Sequence, residues 1–162
     1  MQWSKWAAMA SVAVLGACGG GESKPQSTTA QPPAAAPAAP ATTGAPITGK
    51  TVVVQMIGDT EKGQYRFDPA EVTLKQGDGI RFDGVSGGPH NVAFDAAQLA
   101  PDAKAALTAN MPSQDLGELS GKLVNNGESY TISFANVPAG TYTAHCTPHL
   151  AMNMKLKITV TK

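Results

Sequence analysis

Near its C-terminus the chain reads CTPHLAMNM, from Cys146 to Met154. This segment offers a thiolate, an imidazole and a thioether within nine residues, between two strand-like runs. A further histidine, His90, lies upstream in the segment GPHN. One cysteine, two histidines and one weakly bound methionine are the ligand set of blue-copper sites, which transfer electrons. The sequence therefore predicts one type 1 copper ion as the cofactor.

The spacing of these residues suits a single metal ion. Cys146 and His149 are separated by two residues, so that one turn can present both, and Pro148 restricts the backbone before the histidine. Thiolate and thioether are soft donors that suit Cu(I), and imidazole serves both oxidation states. Supporting contacts are predicted from Thr147 and Pro148 in the loop and from Asn91, whose side chain is expected to hydrogen-bond to the ligand loop.

The first residues resemble an export signal. Residues 1–17 carry Lys5 and then an apolar run that is too short to span a bilayer as a stable helix. The sequence LGACG, from Leu15 to Gly19, resembles a bacterial lipobox, which implies cleavage before Cys18 and a lipid anchor on its thiol. The alternative is an ordinary secretory signal cut near the same place. We expect an exported protein of the cell envelope, lipid-anchored to a membrane on its periplasmic or outer face.

The composition then divides the chain into a linker and a domain. Residues 18–46 are rich in Pro and Ala, which predicts an extended spacer that cannot bury enough apolar surface to fold. Residues 47–162 are predicted to form one domain of ordinary size. With Lys5, Lys24 and Glu22 outside it, this domain has ten basic and eleven acidic residues. A nearly neutral domain without a basic patch excludes nucleic acid as an expected partner.

The cysteine content supports a ligand role for Cys146. It is the only cysteine of the predicted domain, because Cys18 precedes it at the predicted cleavage point. An exported domain with one cysteine has no internal disulfide to form. An unpaired thiol is oxidised in such a compartment unless it is buried or bound to a metal.

Apolar and polar residues alternate with a period of two in several short runs of the domain, which is typical of half-buried strands. The pattern predicts an all-β domain, a Greek-key antiparallel β-sandwich of seven to eight strands with a short helical insertion. The insertion is the Ala-rich stretch 95–109, interrupted at Pro101. The predicted strands are 51–57, 72–74, 80–83, 90–94, 129–134, 141–146 and 155–161.

The same alternation indicates where the candidate ligands point. Cys146, His90 and Met154 are each in phase with the apolar face of their own strand. Met152 has the same parity as Met154, but it lies in the loop, where alternation carries less information. His145 has the opposite parity to Cys146 and is predicted to be a surface histidine.

Three segments resemble the cupredoxin family of blue-copper proteins. Residues 146–154 resemble the ligand loop of pseudoazurins, and residues 88–95 resemble the first-histidine segment of plastocyanins. Residues 68–78 resemble the lead-in common in this family. The resemblance extends over residues 51–162 and implies a cupredoxin fold, a type 1 copper and one-electron transfer.

Carried over by position, the resemblance implies His90, Cys146 and His149 as the strong equatorial ligands. The spacing His-x4-Met implies Met154 as the axial ligand. Relatives with His-x2-Met would select Met152 instead, although the flanking residues match the longer spacing better.

The expected partners are a redox protein donor and acceptor that dock near His149. This histidine is predicted to reach the surface through a mostly apolar patch, which suits a small and short-lived interface. Plastocyanins have a tyrosine at the position of His145 that is associated with a second partner contact, so a role in electron entry is a minor alternative there. The patch residues predicted to contact a partner are Pro89, Leu150, Ala151 and Met152.

Other functions fit these residues less well. Nitrite reductases and multicopper oxidases need further histidines for a catalytic copper, and the chain has three in all, so no enzymatic activity is expected. A dinuclear copper centre needs two cysteines in one loop, and a zinc site would lack a fourth strong ligand. An envelope copper-binding or copper-delivery protein without a redox role stays open as the alternative.

Overall fold

The computed structural model describes residues 44–162. The predicted export signal, the predicted anchor Cys18 and the linker up to residue 43 lie outside this range and stay predictions. The domain boundary at residue 47 also stays a prediction. Just before that boundary, the backbone N–H of Ala45 donates a hydrogen bond to Asn110 Oδ1 of the sandwich at 3.0 Å. Within residues 44–162, no helix is long and apolar enough to cross a membrane.

Eight strands and one α-helix form the regular structure of the described residues. Two single-turn 3₁₀ helices, Ala96–Gln98 and Leu150–Met152, lie in the loops. In chain order the strands and the helix are β1 (Thr51–Asp59), β2 (Gln64–Asp68), β3 (Glu71–Lys75), β4 (Gly79–Ser86), β5 (Ala93–Phe94), α1 (Pro101–Asn110), β6 (Ser129–Ser133), β7 (Gly140–His145) and β8 (Lys155–Thr161).

The strands form two four-stranded sheets, ordered β2-β1-β4-β6 and β3-β8-β7-β5. Burial alternates along them: every second residue from Val54 is buried in β1, and every second residue from Leu156 is buried in β8. These buried rows belong to one apolar core, which α1 joins through Ala103 and Leu107. Burying each large aliphatic side chain contributes roughly 1.5 to 3 kcal/mol. The β-sandwich with a short helix is therefore confirmed.

The strand pairing is mixed rather than wholly antiparallel as predicted. β1 lies parallel to β4, and β3 lies parallel to β8, whereas the other pairs are antiparallel. Both parallel pairs arise because the chain crosses to the other sheet before it returns. Alternation along one strand reports which face is buried, but it carries no information about the direction of the neighbour.

The structure differs from the prediction in two local features. β2 was not predicted, because its five residues offer only Tyr65 and Phe67 as alternating apolar positions. The strand predicted over residues 90–94 is reduced to Ala93–Phe94, and all five of these residues are buried. The reason is a second segment that runs beside it: His90 exchanges backbone hydrogen bonds of 3.0 and 2.7 Å with Val124. Burial from several sides removes the alternation that a half-buried strand shows.

The ends of three strands converge at one end of the sandwich. β4 ends at Ser86, β7 ends at His145, and β8 begins opposite it, with His145 paired to Lys155. The loops that follow β4 and β7 are the two segments that carry the predicted ligands. Rigid strands therefore hold both loops at their bases.

Candidate metal centre

Three candidate ligands meet in one place. The Nδ1 atoms of His90 and His149 lie 3.1 Å apart, and Cys146 Sγ lies 3.8 Å from the first and 3.3 Å from the second. First-row metal ions bind imidazole nitrogen at about 2.0 Å and thiolate sulfur at about 2.3 Å, so donors to one ion lie roughly 3 to 4 Å apart. The triangle fits a single ion, and its Cys-His-His donor set is the equatorial set of type 1 copper.

His90 is held by hydrogen bonds on both its ring and its backbone. Its Nε2 lies 2.8 Å from the carbonyl oxygen of Ser86, and the residue is fully buried. Because a carbonyl only accepts, Nε2 must carry the proton, which leaves Nδ1 of a neutral ring free to bind a metal. The tautomer and the ring orientation of this ligand are thus set by the end of β4.

Burial controls the protonation of the other two ligands. It raises the pKa of the Cys146 thiol, while backbone hydrogen bonds from Asn91 and His149 oppose this rise. It lowers the pKa of His149, and the neighbouring His90 acts in the same direction. His149 is therefore neutral at neutral pH, as a metal ligand must be, and metal binding would displace the thiol proton of Cys146.

The ligand loop returns the chain directly to β8. The 3₁₀ turn Leu150–Met152 ends at Asn153, whose φ of 59° lies in the left-handed region that Asn tolerates. The backbone of Met154 then accepts a hydrogen bond from the Cys146 N–H at 3.1 Å and donates one to the His149 carbonyl at 3.3 Å. Met154 is fully buried, whereas Met152 is 41% exposed.

Asn91 joins the two ligand-bearing segments. Its Oδ1 accepts a hydrogen bond from the backbone N–H of Thr147 at 2.7 Å. Its Nδ2 donates to Thr147 Oγ1 at 3.2 Å and to Ser120 Oγ at 3.0 Å. The side chain of Asn91, which follows His90 and is fully buried, thus links this segment to Thr147, which follows Cys146. The other loop residue predicted to support the ligands, Pro148, is exposed.

The surface beside His149 is apolar. His149 is 9% exposed, and its neighbours Leu150 and Met152 are 45% and 41% exposed. Pro89 and Ala151 are exposed as well, so all four predicted patch residues are accessible. We call Pro89, Leu150, Ala151 and Met152 the apolar rim.

His145 lies outside the ligand triangle. It is half-buried in a groove of the sandwich that Asp95, Leu150 and Lys155 also line. Burial lowers the pKa of its imidazole, and the nearby carboxylate of Asp95 opposes this shift. The histidine is therefore partly covered rather than fully on the surface as predicted.

One residue of the site was missed by sequence reasoning. The ring of Tyr65, in β2, stacks on the imidazole of His149 with centroids 3.9 Å apart and planes 12° from parallel. The alternation of Tyr65 and Phe67 was a signal for the strand. Nothing in the sequence signalled that residues 65 and 149, so far apart in the chain, are in contact.

The fold and the ligand triangle of the described residues together define a blue-copper domain. The sequence profile described as copper binding proteins, plastocyanin/azurin family, matches residues 54–161. The chain belongs to this family, and its cofactor is one type 1 copper.

Individual relatives agree with this assignment. Plastocyanin from Synechococcus sp. (strain JA-2-3B'a(2-13)) is 35% identical over 115 residues, which cover 71% of this chain and 76% of that protein. Plastocyanin from Solanum crispum is 31% identical over 107 residues, 66% of this chain and 99% of that protein. The structure of oxidised plastocyanin from Dryopteris crassirhizoma superposes with a TM-score of 0.52 at 29% identity, covering 68% of this chain and all of that one.

These relatives bear on activity as well as on fold. Plastocyanins are electron carriers and not enzymes, so the relationship agrees with the prediction that this protein is not an enzyme. It also implies that the chain exchanges electrons with redox partners.

Proposed function

We propose that this protein carries single electrons between a redox donor and an acceptor at the cell envelope. The observation that carries the proposal is the convergence of His90, Cys146 and His149 on one point, with His149 next to the apolar rim. Copper bound there would supply the one-electron exchange between Cu(I) and Cu(II). His149 is the ligand through which electrons enter or leave, because it is the ligand nearest to an accessible surface.

Met154 is our proposed axial ligand. Its backbone is hydrogen-bonded to both Cys146 and His149, and its side chain is fully buried. Met152 faces solvent at the end of the 3₁₀ turn, where a weak thioether ligand would have to compete with water. Burial and position both favour Met154 over Met152.

The surrounding residues limit rearrangement during electron transfer. Ser86 fixes the ring of His90, and Asn91 fixes the backbone of the ligand loop. Cu(I) and Cu(II) prefer different geometries, so ligands that are held in a compromise arrangement reduce the change required on each electron transfer. The protein contributes rigidity, burial and a defined tautomer rather than a reacting group.

The apolar rim is the proposed docking surface. It contains no charged residue, so brief contact with a partner relies on apolar area rather than on charge pairs. The lipobox at Cys18 and the spacer 18–46 support a location at the envelope, where the domain would reach membrane-bound partners. At about 3.1 Å per extended residue, such a spacer reaches several tens of ångströms.

The two cysteines allow a matched test of site and location. Cys146→Ala should abolish the intense visible thiolate-to-copper band and the narrow copper hyperfine splitting in EPR, yet leave the protein in the membrane fraction. Cys18→Ala should release the protein from the membrane and leave both spectra unchanged. A pale copper spectrum that Cys146→Ala does not alter would refute the electron-transfer proposal, and membrane association that survives Cys18→Ala would refute the anchor.

Electron exchange separates a carrier from a copper store. We expect fast electron self-exchange between the Cu(I) and Cu(II) proteins, measured by NMR line broadening, with little dependence on ionic strength because the rim is uncharged. Leu150→Lys should slow self-exchange at low salt, since two like-charged rims repel each other. Slow exchange in the wild-type protein would favour copper storage or delivery instead.

A further inference from the structure

The two histidine ligands are held in different ways. His90 donates its Nε2 proton to Ser86 and is fully buried. Metal-binding histidines usually make such a second hydrogen bond, which sets the ring orientation. For His149, the hydrogen-bond contacts of the ring within residues 44–162 all involve Nδ1, the atom that faces the ligand triangle. No hydrogen bond in the described structure therefore engages His149 Nε2, and the contacts at Nδ1 would be replaced when a metal binds to that atom.

Tyr65 supplies a contact that can fix the plane of the His149 ring. Its ring covers one face of the His149 imidazole, nearly parallel at a centroid distance of 3.9 Å. It also meets the His90 ring edge-on, with centroids 6.3 Å apart. A face-to-face contact at this distance prevents the imidazole from rotating about its Cβ–Cγ bond without a clash, because the two planes are only 12° apart.

The position of Tyr65 is itself determined by neighbouring backbone. Tyr65 pairs across the β1–β2 ladder with Gly58, and a Cβ on that glycine would lie 2.6 Å from two carbons of the tyrosine ring. Because Gly58 has no side chain, the ring of Tyr65 can pack directly against its backbone. Gly58 is in turn fixed by Ser86, whose Oγ accepts from its N–H at 3.3 Å and donates to its carbonyl at 2.9 Å.

The same residue of β4 therefore supports both histidines. The Ser86 carbonyl holds His90 directly, and the Ser86 hydroxyl holds the strand segment on which Tyr65 rests. We propose that Tyr65 is a positioning residue that holds the His149 imidazole in the orientation required for copper, before metal binds and in both oxidation states. The consequence for electron transfer rests on the proposed function, but the positioning itself does not.

The test measures the His149 ring rather than electron transfer. The full chain with isotope-labelled histidine is examined by NMR as apoprotein and as Cu(I) protein, in wild type, Tyr65→Leu, Tyr65→Phe and Arg66→Ala. Leucine keeps apolar volume without a ring, and phenylalanine keeps the ring. Arg66 is an exposed residue next along β2, on the opposite face of the strand, and controls for damage to the strand.

We expect Tyr65→Leu to remove the ring-current shift of the His149 ring protons and to increase their millisecond relaxation dispersion several-fold. Phenylalanine should restore both values, and Arg66→Ala should leave them unchanged. Removal of Cu(I) by a chelator should be faster only in the leucine variant. Thermal unfolding of each variant checks that it is folded.

Two results would overturn the proposal. One is a His149 ring in Tyr65→Leu that is as ordered as in the wild type. The other is equal disorder in all three variants, which would indicate general loosening of β2. The apoprotein reports the order of the His149 ring without copper, so the two proposals can fail separately. A missing blue spectrum would refute the proposed function and leave this inference standing. A blue spectrum together with an ordered His149 ring in Tyr65→Leu would refute this inference and leave the proposed function standing.

Discussion

Each end of the sandwich has one buried polar side chain that accepts a hydrogen bond from the backbone N–H of another segment. At the copper end, Asn91 accepts from the N–H of Thr147 at 2.7 Å. At the opposite end of β4, Asp78 accepts from the N–H groups of Lys50 at 2.7 Å and Lys75 at 2.8 Å. The two side chains have nearly the same shape, and they differ in charge.

The difference follows from the surroundings of each side chain. Asn91 donates as well as accepts: its fully buried Nδ2 faces the hydroxyls of Ser120 and Thr147 and, at 3.5 Å, the carbonyl of Gly121, which can only accept. A carboxylate has no proton to donate and would place a charge in the interior. Asp78 meets only donors, and those backbone N–H groups, with the nearby Lys50 and Lys75 side chains, lower its pKa. A charge is thus stabilised at one end and would be costly at the other.

Asn91→Asp should have the largest effect, because it places a carboxylate at the copper end. The change removes the Nδ2 donor and places a carboxylate in a fully buried position that also faces the carbonyl of Gly121. An uncompensated buried charge costs roughly 3 to 5 kcal/mol, and the hydroxyls of Ser120 and Thr147 can offset part of this cost by donating to it. The ligand loop should also loosen, so we expect a broadened or weakened blue-copper band. Denaturant unfolding at pH 7 and the visible spectrum are the measurements.

Asn91→Ala is the control for this change. It deletes the same hydrogen bonds without adding a charge and should destabilise the protein less. Equal unfolding midpoints for Asn91→Asp and the wild type would show that the comparison between the two ends is mistaken.

Asp78→Asn is the reciprocal change and should have a smaller effect. An amide can still accept one of the two backbone hydrogen bonds, and the loss of charge-assisted bonding corresponds to about 1 to 2 kcal/mol. The copper spectrum should not change, since Asp78 and Ser86 flank opposite ends of β4.

The effect of Asp78→Asn should depend on pH in a defined direction. The pKa of Asp78 in the folded protein lies below its usual value of 3.8, so the unfolded chain takes up its proton first as the pH falls. The stabilisation that ionised Asp78 contributes is complete above the usual pKa of the carboxyl group and is lost as the pH falls through the lowered pKa of the folded protein. Urea unfolding of variant and wild type should therefore differ most near neutral pH and converge below about pH 4. A difference that grows in acid would contradict this assignment.

The sequence was sufficient for the parts of the site that local spacing determines. Cys146 and His149 are three residues apart in one loop, and their meeting follows from the length of that loop. The inward direction of Cys146 followed from the alternation in β7. Alternation over a predicted strand 90–94 also placed His90 inward, and His90 is buried, but it lies outside β5 and pairs only in an isolated bridge with Val124; the motif around it, GPHN, was the signal that matches the structure.

The sequence was insufficient where contacts join distant segments without a pattern. The parallel pairing of β1 with β4 depends on a crossover between sheets, which leaves no mark on either strand. The stack of Tyr65 on His149 depends on the register of β2 against Gly58. Register and strand direction are properties of the assembled sheet, and alternation along one strand does not encode them.

Asn126→Ala should have the smallest effect, and it isolates burial as the cause of the others. Asn126 is exposed, and its Oδ1 accepts a hydrogen bond from the N–H of Gly88 at 3.3 Å, two residues before His90. Water can replace this bond, so the free energy of unfolding should change by no more than about 0.5 kcal/mol and the copper spectrum should stay as in the wild type. If this exposed amide matters as much as Asn91, then proximity to the ligand segment would govern stability at the copper end. If it does not, the contribution of Asn91 to the free energy of unfolding comes from its fully buried position and its bonds to both segments, as the contrast with Asp78 requires.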